Sequence, residues 1–542
     1  MSSKGSRGLK SRERADRLWL GARAWTMDPA QPQATVLASQ GARLVYVGDD
    51  PERARSLLAR NPETIDLAGQ TIIPGLIDSH AHVLHEGLRL GQLDVRDLGF
   101  EETLAAIAAA VRQLPPGAWL HARGWDQNIW PGREWPGLQE LDQVSPQNPV
   151  VVDRVDKHSI WVNSQALAQA DPRAQGPDPP GGEILRSLSG EPLGVLIGQA
   201  MFFVYGAMPP LDGRDRAETL ELAQAELLSY GLTTVVDAAT GAVDFATLVK
   251  SRARGTLKFR WRAYIHQGNW PGWEELTPLD GLCDHHLALD GLKIFSDGSL
   301  GSRSAWLLAD YADRPGHQGS RGLADAELER LLTVARERRL QVAIHVIGDA
   351  AVAQAVAAIA RVLGPGRTDR RWRLEHYQVV ADEDRERVLA MGLIPSIQSA
   401  GLLTDLLMAE DRLGSERLKR AYAWRDILDR GGYLINGSDC PVESANPFLG
   451  LRAAVTRQNL AGWPPEGFLP AHRLSRWEAL ASYTIWAAQA AFQEGKIGVL
   501  RPGAWADFAV LDQDYFACPA EAIQDIQVLR TVVGGETVFS RE

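Results

Sequence analysis

The sequence predicts an α/β protein built on a TIM (β/α)8 barrel, and three features carry this prediction. Short apolar segments recur along the middle of the chain, and amphipathic helix-like segments separate the later ones. The stretch from 83 to 232 is too long for one connection between a strand and a helix, so it predicts an insertion over one face of the barrel. Both chain ends carry short strands with Gly and Asp turns, which indicates one small β domain made from both ends.

The barrel prediction depends on eight candidate strands. Each is a short, mostly apolar run of the length typical of a buried parallel strand. The predicted strands are 75–83, 233–238, 259–265, 291–297, 340–346, 371–377, 392–398 and 433–439.

The domain boundaries follow from these segments. We expect residues 1–74 and 486–542 to form the two halves of a composite antiparallel β-sandwich domain. Residues 75–485 then form the barrel, with the insertion at about 84–232. This arrangement places the two chain ends side by side.

Composition narrows the class of protein. The net charge of −11 argues against a nucleic-acid or anionic-membrane partner. Cys283, Cys440 and Cys518 are too widely spaced to indicate a disulfide framework or a thiolate metal cluster. Without a secretory signal or a run of 18 apolar residues, we expect a cytoplasmic protein with a small-molecule substrate. A homodimer is left open.

The first candidate site residues end the first predicted strand. His80 and His82 point to the same side of a strand, with Cα atoms roughly 6 to 7 Å apart, so one metal ion can bind both. On these two residues alone, a metal site and two polar residues leaving a strand for solvent both remain open.

Four further strands favour the metal site. Lys293, His345 and His376 each interrupt an otherwise apolar strand, and Asp439 ends the last one. A buried lysine is unfavourable unless it is neutralised, paired or chemically altered. All of these residues are predicted at the carboxyl ends of barrel strands, where TIM-barrel sites are built. The sequence therefore predicts a metal centre there.

These motifs identify a family resemblance that covers nearly the whole chain. The chain resembles the amidohydrolase superfamily, in particular the branch that includes N-substituted formamide deformylases. The segments that carry the resemblance are "PGLIDSHAH", "GLKIFSDGSLGSRSA", "IHVIGDAAV", "RLEHYQ", "NGSDCPVESANPF" and, for the return into the β-sandwich, "GKIGVLRPGAWADFAVLD".

The resemblance implies a set of metal ligands. His80 and His82 would bind one metal ion, and His345 and His376 would bind a second. Lys293 would be carboxylated by CO₂, and its carbamate would bridge both ions. The metal expected there is Zn²⁺, with one or two ions per chain.

Asp439 is the implied catalytic residue. It would contact the first metal and act as general base and then general acid for a metal-activated water. A helix N-cap is the alternative role for a carboxylate that follows a strand. The chain departs from the branch at Ala350, where a basic residue is common, and at Lys157, where glycine is common.

The implied reaction is hydrolysis of a C–N bond in a non-peptide amide, with N-substituted formamides as one candidate class. A hydrolase or deaminase acting on a cyclic amide or imide is the alternative enzyme. A metal-binding regulatory protein without catalytic activity is the alternative outside enzymes.

Substrate contacts are predicted from the insertion and from the loop after the fourth strand. Trp125, Arg154, His158 and Arg303 are the candidates, and a purely structural role is open for each. The tryptophans of the insertion favour a neutral amide with an apolar or aromatic N-substituent.

Overall fold

Eight parallel strands form the centre of the protein in a computed structural model that describes residues 16–58, 61–208, 216–266, 268, 270–275 and 285–541. Neighbouring strands pair in chain order, all in parallel. We number them β1 (Leu76–Ala81), β2 (Leu232–Thr240), β3 (Arg260–His266), β4 (Leu287–Phe295), β5 (Gln341–Val346), β6 (Arg373–His376), β7 (Ile394–Ile397) and β8 (Ile435–Asn436).

The segment after β8 closes the sheet against β1. The Asp439 N–H donates to the His80 carbonyl over 2.6 Å, and the His82 N–H donates to the Cys440 carbonyl over 2.8 Å. The predicted eight-stranded barrel is therefore confirmed.

Amphipathic helices cover the outside of the barrel. In the helix Asp325–Glu337, the buried residues Leu328, Leu331, Leu332 and Ala335 recur at spacings of three and four and form one apolar face. The other helices that follow the barrel strands are Arg216–Ser229, Ala242–Arg254, Asp349–Leu363, Asp382–Met391, Leu402–Asp405, Ala409–Leu418, Trp424–Asp429, Pro447–Thr456, Arg476–Ser482 and Ile485–Ala490.

The predicted insertion lies between β1 and β2 and has a sheet and an apolar core of its own. In spatial order, its six strands are Gly182–Arg186, Pro192–Gly198, Ser159–Val162, Val150–Arg154, Leu120–Trp125 and Leu93–Asp94. Its helices are Val83–Arg89, Phe100–Val111, Leu138–Val144, Ser164–Gln169 and Phe202–Tyr205. Because the insertion leaves β1 directly after His82, its loops lie beside the carboxyl ends of the barrel strands.

The β-sandwich draws on both chain ends, as predicted. One sheet contains only N-terminal strands, in the order Arg43–Gly48, Val36–Gln40, Arg17–Leu20 and Glu63–Asp66. The other sheet mixes both ends, in the order Glu536–Ser540, Val528–Val533, Phe508–Leu511, Thr71–Pro74, Arg23–Trp25 and Gln33–Ala34. Between the sheets, the rings of Trp19 and Phe508 meet edge to face at 5.0 Å.

The expectation of purely antiparallel sheets was wrong. Arg17–Leu20 pairs in parallel with Glu63–Asp66, and Arg23–Trp25 pairs in parallel with Thr71–Pro74. Two short strands of the other sheet, a hairpin and the helix Pro51–Ser56 separate the members of the first pair. The chain then returns beside its first strand and runs in the same direction.

A buried ion pair joins the barrel to the sandwich. Arg260 at the start of β3 donates from Nε and Nη2 to the two carboxylate oxygens of Asp507, over 2.6 and 2.9 Å. Both side chains are at most 3% exposed, and the guanidinium lies 4.5 Å from the centre of the Trp505 ring.

Cys440 and Cys518 are free thiols, and Cys283 lies outside the described residues. Within the described part of the chain, no helix has the length and hydropathy needed to cross a membrane.

Candidate active site

The carboxyl ends of β1, β6 and β8 bring three candidate ligands together. One ligand atom from each of His80, His376 and Asp439 lies within 4.8 Å of the others. Oδ1 of Asp439 lies 3.3 Å from Nε2 of His80 and 3.1 Å from Nε2 of His82. His80 and His82, the pair predicted at the end of the first strand, therefore contact the same carboxylate, which follows the last barrel strand.

The remaining two predicted ligands lie beside this group. The ring of His345 is centred 4.3 Å from the ring of His376, and Nζ of Lys293 lies 3.2 Å from Nε2 of His80. Lys293 is completely buried. Burial lowers the pKa of its amine to about 8, although the carboxylates of Glu375 and Asp439 favour the charged form.

The spacing of these atoms fits a divalent metal ion. Ligand atoms about 2.0–2.2 Å from a tetrahedral zinc lie roughly 3.3–3.6 Å apart. The contacts of Asp439 with His80 and His82 come close to this spacing, at 3.3 and 3.1 Å. Imidazole nitrogens and a carboxylate oxygen are also the donor types that zinc and similar divalent ions prefer.

Glu375 fixes the orientation of His80 and was missed by the sequence analysis. Its Oε2 lies 2.5 Å from Nδ1 of His80, and its Oε1 accepts a 2.7 Å hydrogen bond from Nε of Arg373. Burial alone would raise the pKa of Glu375, but Arg373 and His80 outweigh it and hold the pKa below its ordinary value. The Nδ1–H of His80 donates to Glu375, so the other ring nitrogen, Nε2, faces Asp439. The contact between Nε2 and Asp439 requires either a proton or a metal ion on Nε2.

One sequence signal pointed to this pair. Arg373 and Glu375 are two opposite charges, two residues apart, in a four-residue strand whose residues are all buried. Period-two alternation places them on one face, so the strand carries its own ion pair next to the ligand His376.

Other buried carboxylates connect the strand ends. Asp78 accepts hydrogen bonds from the Ser438 hydroxyl over 2.6 Å and from the N–H groups of Ser438 and His80 over 3.0 Å. Asp297 accepts from the Gly348 N–H over 2.8 Å. These carboxylates hold the ligand-bearing loops in place.

The structure does not support a helix-cap role for Asp439. The next helix begins only at Pro447, and Asn446 caps it by accepting a hydrogen bond from the Phe448 N–H. Asp439 instead adopts a left-handed φ of 59°. That conformation is uncommon for a residue other than glycine, and asparagine and aspartate adopt it more readily than most.

A pocket opens directly beside these candidate ligands. His345, His376 and Asp439 form part of its wall. The rest comes from the insertion and from the segments after β4, β5, β6, β7 and β8. The apolar side chains in its lining are Val155, Leu300, Ile347, Met408 and Val442, and the polar ones include Asp156, Gln378, Gln398, Asp405 and Glu443.

Two of the four predicted substrate contacts line this pocket. The ring of His158 is centred 5.1 Å from that of His345. Arg154 also lines the pocket, but its three nitrogens donate to Asp126, Asp156 and Gln127 over 2.5, 2.6 and 2.8 Å. Its charge is therefore already paired.

The other two predicted contacts lie elsewhere. Trp125 is 1% exposed in the core of the insertion, where its indole N–H donates to the Val152 carbonyl. Its ring packs against those of Trp130, Trp135 and Trp161. Trp125 is therefore part of the insertion's own apolar core and does not reach the pocket. Arg303 pairs with Asp313 over 2.9 Å and lines a different cleft.

The two departures from the branch pattern have clear positions. Lys157 has a left-handed φ of 59°, the conformation that glycine adopts without strain, and its amine pairs with Asp153. Ala350 is buried in the first turn of the helix Asp349–Leu363 and does not line the pocket.

Comparison with known proteins agrees with this geometry. Residues 63–539 match the model of the Amidohydrolase family. The Arabidopsis thaliana protein LONG AFTER FAR-RED 3 is 32% identical over 544 residues, which cover 97% of this chain and 92% of that protein. N-substituted formamide deformylase of Arthrobacter pascens is 28% identical over 545 residues, covering 97% and 98% of the two chains.

A solved structure extends the likeness to the whole fold. The crystal structure of an uncharacterized metal-dependent hydrolase from Pyrococcus horikoshii OT3 superposes with a TM-score of 0.75 at 26% identity, covering 93% of this chain and 99% of that one. The family match spans the barrel and half of the sandwich strands, and the strand ends that carry the candidate ligands lie within it. The resemblance seen in the sequence is thereby confirmed: the chain belongs to the amidohydrolase family and is a metal-dependent hydrolase.

Proposed function

We propose that this protein hydrolyses the C–N bond of a small non-peptide amide, and that N-substituted formamides are the first class to test. The observation that carries the proposal is the position of Asp439, which contacts His80 and His82 through one oxygen and also lines the pocket. The 28% identity with N-substituted formamide deformylase supports the choice of amide.

The proposed cofactor is Zn²⁺, held by His80, His82, His345, His376 and a carboxylated Lys293. A zinc ion held there supplies a nucleophile at neutral pH, because it lowers the pKa of the water that it binds to about 7.

Carboxylation of Lys293 accounts for its burial. The reaction requires a neutral amine, and burial favours that form by lowering the pKa to about 8. The amine nitrogen bonds to the carbon of CO₂ and releases one proton, which leaves an anionic carbamate. Such a group offers two oxygen ligands where an ammonium would repel a metal ion.

Asp439 carries the proton through the reaction. Burial would raise its pKa, but His80 and His82 hold the pKa well below its ordinary value, so Asp439 is ionised at neutral pH. It accepts a proton from the attacking water as the new C–O bond forms. It then returns that proton to the amide nitrogen as the C–N bond breaks, and the products are a carboxylic acid and an amine.

His158 is the proposed contact of the insertion with the substrate. It faces the pocket beside His345, and burial lowers its pKa, so the neutral ring predominates at pH 7. A neutral imidazole can donate one N–H to the carbonyl oxygen of the amide and stabilise the charge that develops there.

A hydrolysis screen of the zinc-loaded protein tests the proposal. The panel contains N-formyl and N-acetyl amines together with cyclic amides and imides, and the readout is the released amine or the opened ring. We expect release of amine from linear amides and its loss in the metal-free protein. If only the cyclic compounds are hydrolysed, the substrate class is a cyclic amide or imide instead. If no amide is hydrolysed, the proposed amide hydrolysis is wrong.

A further inference from the structure

Resting on the proposed amide hydrolysis, we infer that the amine portion of the substrate carries a second, positively charged nitrogen, which Asp405 and Glu443 bind. A monoacylated diamine is the simplest substrate of this class. Both carboxylates line the active-site pocket, from the loops that follow β7 and β8.

The two carboxylates belong to one connected wall. Asp405 ends the short helix Leu402–Asp405, and the hydroxyl of Thr404 donates to Oε1 of Glu443 over 3.2 Å. Burial raises the pKa of Glu443; the charge of Arg96 lowers it, and the charge of Asp405 raises it. A cation bound at this wall would favour the ionised form of both carboxylates.

No cation within the described residues neutralises Asp405. The Tyr422 hydroxyl and the Gln378 amide both donate to Oδ2, each over 2.9 Å, and Oδ1 receives no hydrogen bond from the described residues. Glu443 has only a distant guanidinium, with Nη1 of Arg96 4.0 Å from its Oε2. Arg96 uses its Nη2 on the Pro441 and Val442 carbonyls instead.

Two glutamine side chains provide independent support for a bound group. Gln378 and Gln398 line the same pocket. Oε1 of Gln378 and both amide atoms of Gln398 are buried without a hydrogen-bond partner in the described structure. Buried polar atoms normally have partners, so these atoms indicate a ligand with hydrogen-bonding groups. An ammonium group donates three N–H bonds and accepts none, which suits Asp405, Glu443 and Gln378.

The charge of the pocket disfavours a substrate that carries a carboxylate. Arg154 is the only lysine or arginine among the described lining residues, and its hydrogen bonds to Asp126 and Asp156 already use its charge. A substrate carboxylate would therefore meet Asp405, which has no cationic partner among the described residues, and Glu443, whose nearest guanidinium nitrogen lies 4.0 Å away. The wall also lacks Trp, Phe and Tyr among the described lining residues, so it offers no stacking surface for an aromatic substituent.

Three formamides of similar size test the inference on the zinc-loaded protein. They are N-(4-aminobutyl)formamide, N-pentylformamide, in which a methyl group replaces the ammonium, and N-formyl-4-aminobutanoic acid. We expect kcat/KM for the ammonium compound to exceed that for the other two at least ten-fold. Equal values for the ammonium and pentyl compounds would overturn the inference and leave the proposed hydrolysis intact.

Variants then assign the effect to the two carboxylates. The double variant Asp405→Asn/Glu443→Gln should lower kcat/KM for the ammonium compound at least ten-fold and change that for the pentyl compound less than three-fold. Glu410→Gln is the matched control, because Glu410 is an exposed acid five residues beyond Asp405, outside the pocket lining, and its removal should change neither value. An equal loss on both substrates would contradict a role in binding charge.

A binding measurement separates this inference from the proposed function. Calorimetry with butane-1,4-diamine should give at least ten-fold tighter binding to the zinc-loaded wild-type protein than to the double variant. If no formamide is hydrolysed, the proposed function fails, and this ratio alone decides the inference. Equal affinities would overturn it.

Discussion

Glu375 and His80 form a buried contact beside the candidate metal ligands. Oε2 of Glu375 lies 2.5 Å from Nδ1 of His80, and neither side chain has measurable solvent exposure. The contact places the proton on Nδ1 and aims Nε2 at Asp439 and Lys293.

We predict that Glu375→Gln weakens zinc affinity about 10- to 100-fold, the usual effect of losing such a supporting carboxylate. A glutamine amide orients His80 poorly and leaves Arg373 without its charge partner. Competition with a chromogenic chelator measures the dissociation constant. Glu329→Gln, which removes a surface carboxylate paired with Arg361, is the control; equal zinc affinity in all three proteins would rule out the orienting role.

Lys293→Ala should remove most of the bound metal and most of the activity, because both proposed metal positions lose their shared ligand. Millimolar formate or acetate should partly restore both by occupying the space left by the carbamate. Metal content and turnover, measured with and without added acid, check this. A variant that retains two metal ions and normal turnover without added acid would exclude the bridging carbamate.

Asp439→Asn should lower kcat at least about 100-fold, in line with typical general acid–base contributions. Asp439 caps no helix, so the melting temperature of the metal-loaded protein should change little. Steady-state kinetics and thermal denaturation on the same preparation separate the two effects. A stability loss large enough to explain the lost activity would make Asp439 a structural residue.

The stability of the wild-type protein relative to Asp405→Asn should fall as pH rises. Burial raises the pKa of Asp405 from 3.8 to about 7, against the hydrogen bonds from Tyr422 and Gln378, while Asp156 raises it and Arg154 lowers it. A raised carboxyl pKa means that the folded state holds the proton more tightly, so this stabilisation is present below pH 4 and lost as pH rises through about 7.

The amide group that replaces the carboxyl group in Asp405→Asn does not titrate in that range. We therefore expect the variant's melting temperature, relative to wild type, to rise by a few degrees between pH 5 and pH 8, measured without ligand. A difference that stays constant across this range would show that Asp405 titrates at its ordinary pKa.

Arg260→Met should destabilise the protein by about 3–5 kcal/mol, because it leaves the Asp507 carboxylate buried without its partner. Thermal denaturation measures the loss. The double variant Arg260→Met/Asp507→Asn removes the stranded charge and should recover part of it. If the double variant melts no higher than the single one, packing against Trp505 rather than the ion pair explains the effect.

The barrel and the positions of the candidate ligands at its strand ends were predictable because each depends on local sequence. A short apolar strand that ends on a polar side chain, as at His80 or His376, is visible within ten residues of sequence. The rule that parallel strands present their carboxyl ends at one face then brings distant residues together. No knowledge of individual side-chain contacts is needed for that step.

The contacts that were missed depend on packing between distant segments. Glu375 was overlooked because its importance comes from His80, 295 residues earlier in the chain. Trp125 was placed near the substrate because it follows the first ligands in sequence, but its ring turns into the insertion's own core. In the same way, sequence alone could not distinguish the paired Arg154 from the unpaired Asp405.

The composite sandwich constrains the order of events during synthesis on the ribosome. Strand Thr71–Pro74 leads directly into β1 and its ligand histidines, yet one of its neighbours in the sheet is Phe508–Leu511. The nascent chain must therefore emerge almost to its end before the edge of strand Thr71–Pro74 is covered. His80 and His82 are translated early, but the sheet next to them is completed only by the last strands. A ribosome that stops before residue 508 leaves a chain with every candidate metal ligand present and an open strand edge beside them. Such an edge binds chaperones and promotes aggregation.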